Sequence, residues 1–274
     1  MYICLPRHRA FRAMGRTTLA AAIAAGLGVS GPAQLASAAS IGMQFVGSGT
    51  ALSSSALAGV VAQQNWNALA INASTLTSPA LVDSAGASTP VTITGGTNTY
   101  YIGGSLSGPP ATAGDATLSH GELNETSAND TITGLAPATS SNSLAVTGIT
   151  YSQYDVYVYT ECDSANNETT VSLKPSGGSA TFASFKSESG GTGWTQATGT
   201  WNGAGTAPSD PVANYARFVS LTATSFTVEI GGVHNAGING IEIVNTTPGP
   251  EPTSFGLMAL GGLLILPRRR RSAY

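Results

Sequence analysis

Apolar and polar positions alternate in short runs along most of this chain, with the period of two that a half-buried strand requires. The clearest run is YDVYVYT at Tyr154–Thr160, where Val156 and Val158 point to one face and Asp155, Tyr157 and Tyr159 to the other. Further runs are IGMQFVG from Ile41, PVTIT from Pro90, NTYYIGG from Asn98, DTITGL from Asp130, NSLAVTGI from Asn142, TTVSL from Thr169 and ATFASFK from Ala180. NYARFVSL from Asn214, SFTVEIGG from Ser225 and INGIEIV from Ile238 close the series. Clusters of Gly, Pro, Asn, Asp and Ser separate the runs, so the pattern predicts about a dozen short strands joined by turns. That is the signature of an all-β fold, a single β-sandwich or jelly roll, and not of alternating strand–helix units. SSSALAGVVAQQNWNALA from Ser53 has room for one helical turn or two, since Gly59 and the paired valines oppose a longer helix.

Two stretches break the alternation. Near the start, Arg7, Arg9, Arg12 and Arg16 precede the apolar run Thr17–Val29, and small residues follow at Ala36, Ser37 and Ala38. Basic residues, an apolar run and an A-x-A site in that order form an export signal, with cleavage expected after Ala38. Residues 1–38 are therefore read as a signal peptide, handled by the secretion translocon and a signal peptidase. Residues 39–245 form the β domain, and 246–274 hold a TTPGP linker and a second apolar stretch. That stretch, Phe255–Leu266, is 12 uncharged residues. As a helix it would reach about 18 Å, well short of a bilayer core of about 30 Å. Arg268, Arg269, Arg270 and Arg271 follow it, and by the positive-inside preference they stay cytoplasmic while everything before them faces outward.

Charge sharpens this picture. The whole chain carries a net charge of -3, but residues 39–250 hold 13 acids against Lys174, Lys186 and Arg217. An acidic body of this kind is repelled by phosphate backbones and anionic lipids, which removes nucleic acid from the list of partners. Of the 2 cysteines, Cys4 leaves with the signal peptide, so Cys162 has no partner for an internal disulfide. It is read as a small buried hydrophobe, with pairing to another molecule as the alternative.

Pro250, Glu251 and Pro252, then Phe255–Leu266, then Arg268–Arg271 together resemble the PEP-CTERM sorting signal of exopolysaccharide-producing Gram-negative bacteria. The resemblance implies transient retention in the inner membrane, recognition at Pro250–Pro252 by an exosortase, and delivery to the cell surface or extracellular matrix. In the body, IGMQFVG, GVVAQQNWNAL, LVDSAGASTPVTI, SHGEL, VTGITYSQYDVYVY, NYARF and INGIEIV resemble exported PEP-CTERM proteins of environmental bacteria such as planctomycetes. INGIEIV is also similar to the last strand of malectin-like and other carbohydrate-binding jelly rolls. No catalytic site comes with either likeness.

Candidate chemistry is sparse. The exported chain has two histidines, His120 and His234, and neither an HExxH nor a G-x-S-x-G motif, which argues against a readable zinc or serine hydrolase. A glycosidase needs two placed carboxylates, and Asp155, Glu161, Asp163, Glu229 and Glu242 are the candidates. ECDSANNE offers Glu161, Asp163, Asn166, Asn167 and Glu168 as hard oxygen ligands for calcium, although it lacks the EF-hand glycine; a solvated acidic turn explains the same residues. Trp66 with Asn65 and Asn67, Trp194 and Trp201 have the composition of a sugar-stacking site, and a sandwich core would use the same tryptophans. The expectation is an exported, exosortase-sorted surface protein whose β-sandwich binds carbohydrate or mediates adhesion without catalysis. A polysaccharide-active glycosidase or lyase, and a purely structural coat or biofilm protein, are the alternatives.

Overall fold

A computed structural model of the chain describes residues 39–46, 50–70, 76–78, 80–95, 99–101, 112–124, 129–130, 143–160, 168–187, 193–199, 211–233 and 237–247. In chain order the strands are β1 (Ser40–Val46), β2 (Asn67–Ala70), β3 (Leu76–Thr77), β4 (Thr92–Gly95), β5 (Thr99–Tyr101), β6 (Gly121–Asn124), β7 (Asn129–Asp130) and β8 (Ser143–Thr147). They continue with β9 (Tyr154–Tyr159), β10 (Glu168–Pro175), β11 (Thr181–Ser187), β12 (Val212–Ala213), β13 (Tyr215–Leu221), β14 (Phe226–Val233), β15 (Gly237–Ile238) and β16 (Gly240–Asn245). Among the described residues, α-helix is confined to α1, Ala113–Leu118, whose first turn is capped by the Thr112 hydroxyl accepting the Asp115 amide proton. The all-β expectation holds for these residues.

The first sheet has the order β13–β9–β16–β1–β2 and is antiparallel except where β1 meets β2. The second runs β12–β11–β10–β14–β8–β4–β3, with β7 also on β14; its β11–β12 contact is parallel and the others antiparallel. A small antiparallel sheet joins β15, β6 and β5.

Alternation along each strand decides which side chains meet. Ile41, Met43 and Phe45 of β1, Val156 and Val158 of β9, and Ile241 and Ile243 of β16 turn the same way. They join Leu144 and Val146 of β8, Val171 and Leu173 of β10, and Val228 and Ile230 of β14 in one apolar cluster. The two large sheets thus pack in the manner of a β-sandwich, each such side chain contributing roughly 1.5–3 kcal/mol relative to exposure.

The other face of the first sheet is covered as well, which is why all seven residues of β1 and all six of β9 are buried. Residues 50–66 and α1 lie across it and build a second cluster of Leu52, Ala58, Trp66, Leu118, Tyr157, Tyr159, Tyr215 and Val244. Polar side chains of β1 stitch this layer down. Gln44 receives the Leu52 amide proton at 2.8 Å and donates to the Thr117 carbonyl at 2.9 Å, while the Ser40 hydroxyl donates to Gln63 Oε1 at 2.5 Å. The helical turns expected after Ser53 do not form; turns, an Ala58–Gln63 bridge and β2 occupy that stretch. Gly59, at φ +95, and the close packing of Trp66 against Gly42 of β1 both oppose a helix there.

Close approach of the indole explains one glycine directly. A Cβ on Gly42 would stand 2.1 Å from Gln63 Nε2 and 2.6 Å from Trp66 Cδ2, so only a bare backbone lets the layer settle. The two ends of the described domain also meet, since the Asn245 amide donates to the Ala39 carbonyl at 3.0 Å.

Candidate functional site

Tyr159 of β9, Glu242 of β16 and Asp115 of α1 come together beneath residues 59–61. The Tyr159 hydroxyl donates to Glu242 Oε2 at 2.5 Å and accepts the Val60 amide proton at 2.8 Å. Asp115 accepts the Gly59 amide at 2.8 Å through Oδ1 and the Thr112 hydroxyl at 2.7 Å through Oδ2. Both Tyr159 and Glu242 are fully buried and Asp115 nearly so. Burial, reinforced by the charge of Asp115, pushes the Glu242 carboxyl up to about 8 against the opposing pull of the Tyr159 bond and the nearby Val61 amide. Burial and the Glu242 carboxylate hold the Tyr159 phenol well above its ordinary range. This shift favours the protonated form of Glu242, and Glu242 Oε1 accepts no hydrogen bond from the described residues. Closed to solvent, the centre pins the 59–61 backbone to the sheet.

Of the other carboxylates proposed for catalysis, Glu161 and Asp163 lie outside the described residues, and Asp155 and Glu229 are held apart from Glu242. Asp155 lies on the same face of the first sheet but is engaged by Arg217, whose Nη2 and Nε donate to Oδ2 at 2.6 and 3.2 Å, and by the Ser220 amide at 2.9 Å. The Arg217 guanidinium also sits 5.4 Å from the centroid of the Tyr157 ring. Glu229 belongs to β14, where its neighbours Val228 and Ile230 face the core, so its side chain lies on the opposite face of the second sheet, where it is buried. The full thickness of the sandwich separates Glu229 from Glu242.

The sugar-stacking candidates are placed as follows. Trp66 is 5% exposed, packs edge-on to Tyr159 at 6.0 Å between ring centroids, and spends its N–H on the carbonyls of Ala58 and Gln63. Asn67 bonds the backbone of Gly42 and Val82 with both ends of its amide, and Asn65 donates to the Ser84 carbonyl from a left-handed backbone, φ 57. Trp194 is half-buried and packs against Tyr159 at 4.6 Å between ring centroids, the planes tilted by 54°. Trp201, the calcium candidates Glu161, Asp163 and Asn166, and the sorting residues Pro250, Glu251, Pro252 and Arg268–Arg271 lie outside the described residues, and Glu168 opens β10. Among the described residues, no three His, Cys, Asp or Glu side chains converge as a metal site, and no helix is long and apolar enough to cross a membrane.

Surface clefts also open among the described residues. A broad groove of about 400 Å³ on the second sheet runs past Lys174, Thr147, Ser176, Ser225 and Thr227. A smaller one, about 210 Å³, opens where β1 begins, between the Asp83–Ser88 turn and Tyr151. Asp83 Oδ1 accepts the amides of Ala85 and Ala87, both at 2.9 Å, and Gly86 takes φ +80 to close the turn. Tyr151 packs its ring against the main core, and burial together with Asp83 pushes its phenol up to about 12. Sequence reading missed this cleft; its trace is the D-x-x-G turn inside LVDSAGASTP, which signals a loop but not a partner 65 residues away. Comparisons with protein-family models, with curated proteins and with solved structures give no match.

Proposed function

We propose that this chain is an exported PEP-CTERM-type protein whose β domain is a jelly-roll-like, non-catalytic binding module for extracellular polysaccharide or for adhesion at the cell surface. The jelly-roll reading draws on how the chain crosses between the sheets: β8 is in the second, β9 in the first, β10 and its hairpin partner β11 in the second, β13 in the first, β14 in the second and β16 in the first. Export, passage through the translocon and signal peptidase, exosortase recognition and final residence in the cell envelope or matrix rest on the sequence of the two ends.

One observation carries the non-catalytic reading. Glycoside hydrolysis needs an acid and a base or nucleophile facing each other roughly 5–10 Å apart across an open site. Here Asp155 is tied to Arg217, Glu242 is sealed with Tyr159, and Glu229 faces the other way. Trp194 and Trp201 stay candidates for ligand contact, whereas Asn65, Trp66 and Asn67 have committed polar groups. Calcium at Glu161–Glu168 is part of the same proposal. The test is a glycan screen of the full chain with and without calcium, followed by product analysis of every glycan retained. Saturable binding without new reducing ends is expected; released products would overturn the non-catalytic reading, and no binding to any glycan would leave a structural coat role. For the tail, the chain should accumulate in the membrane fraction of a host whose exosortase is deleted and leave it when the enzyme is restored.

A further inference from the structure

We propose that the 210 Å³ cleft beside Tyr151 is a subsite for one neutral sugar ring. This rests on the binding-module reading and gives that module a place. The volume lies below the roughly 300–1,000 Å³ of clefts that take drug-sized ligands, which suits a single ring and not an extended chain. The lining divides as a polyhydroxylated ring requires. Pro90 supplies exposed apolar surface, with Ile41 and Val91 buried beneath it. Around it stand polar groups with unspent capacity: Asp83 Oδ2 and the hydroxyls of Tyr151, Ser88 and Thr150 make no hydrogen bond with the described residues, while Asp83 Oδ1 is already occupied by the turn.

The charge of the ligand follows from the same set. Asp83 is the charged group of the cleft, and it sits in a body of strong negative charge, so a uronate or sulfated ring is repelled. A carboxylate oxygen instead accepts from vicinal hydroxyls in short charge-assisted bonds. The three protein hydroxyls donate or accept as the ring demands. Tyr151 lines the cleft half-buried, and its side chain combines an apolar ring with a polar hydroxyl as a sugar combines C–H faces with hydroxyls.

Saturation-transfer NMR on the full chain with glucose, galactose and mannose at millimolar concentrations tests the assignment, using D83N, Y151F and Y151A. Asn at position 83 keeps the Oδ1 acceptor that closes the turn, so the loop survives while the free carboxylate oxygen is lost. The expected result is transfer to one of the three hexoses, weakened roughly tenfold in D83N, reduced in Y151F and abolished in Y151A. Transfer that is equal in all four proteins moves the sugar elsewhere and overturns the assignment while the binding-module reading stands. Retention of polysaccharide in the glycan screen with no hexose transfer has the same meaning. Loss of both hexose and polysaccharide binding in the unmutated chain brings down the cleft and the module together.

Discussion

Raising the pH should loosen this domain through one side chain, Glu242. Its carboxyl titrates at about 8 in the folded protein against an ordinary 4.5, because it is buried beside Tyr159 with Asp115 close by. Between those two values the folded chain holds a proton that the unfolded chain has released, so stability falls as pH rises across that window. Each pH unit costs about 1.4 kcal/mol, and the whole window about 5 kcal/mol. That is as large as the lower end of the roughly 5–15 kcal/mol that holds a typical domain together. Urea unfolding of the wild type and of E242Q, followed by tryptophan fluorescence, isolates the effect. Gln keeps the size and an acceptor for Tyr159 but does not titrate, so other groups cancel in the comparison. From about pH 5 to pH 7.5 the wild type should lose about 3 kcal/mol relative to the variant. Parallel curves would refute the reasoning, for they would mean that Glu242 is ionised in the folded protein throughout.

Trp66→Ala should cost about 3–5 kcal/mol in thermal or urea unfolding, since it empties the centre of the layer over the first sheet. Gly42→Ala should cost about 1–3 kcal/mol by driving a methyl group into Gln63 and Trp66, and should open residues 50–66 to limited proteolysis. Gly193→Ala, where nothing lies within 4 Å of the added methyl, should stay within about 0.5 kcal/mol of wild type. Arg217→Ala strands Asp155, whose side chain is 5% exposed, and should cost about 1–3 kcal/mol where an exposed pair would cost less than about 1; Arg217→Lys should fall between, measured by the same unfolding curves.

The strands were legible wherever apolar and polar residues alternate. Val156 and Val158 do face the opposite way from Tyr157 and Tyr159, and IGMQFVG, SFTVEIGG and INGIEIV became β1, β14 and the β15–β16 pair. Short strands with weak patterns, β2, β3, β6 and β12, escaped, as did α1, because their residues gain their conformation from partners far along the chain. The covering of the first sheet's second face escaped for a related reason. Tyrosine is amphipathic, so Tyr157 and Tyr159 suit a wet face and a buried one equally, and alternation cannot say which they have. Glu242 could be named from the sequence, but its closure could not, since its environment is assembled from Gly59–Val61, Asp115 and Tyr159, up to 183 residues distant. The cleft is a similar case, brought together from β1, a turn and the approach to β9.

The position of β16 has a mechanical consequence. It lies in the middle of the first sheet, paired along its length with β1 on one side and β9 on the other, and it runs directly into Asn245–Thr247. A pull applied through the residues that follow enters a central strand along its own axis. The β1 and β9 ladders are then loaded in shear, all their hydrogen bonds sharing the force at once, instead of being peeled one by one as at a sheet edge. Thr246 adds a further bond to the Gln153 carbonyl at 2.9 Å, next to the point where tension arrives. A domain tethered by this end resists drag with a strand that is paired on both sides.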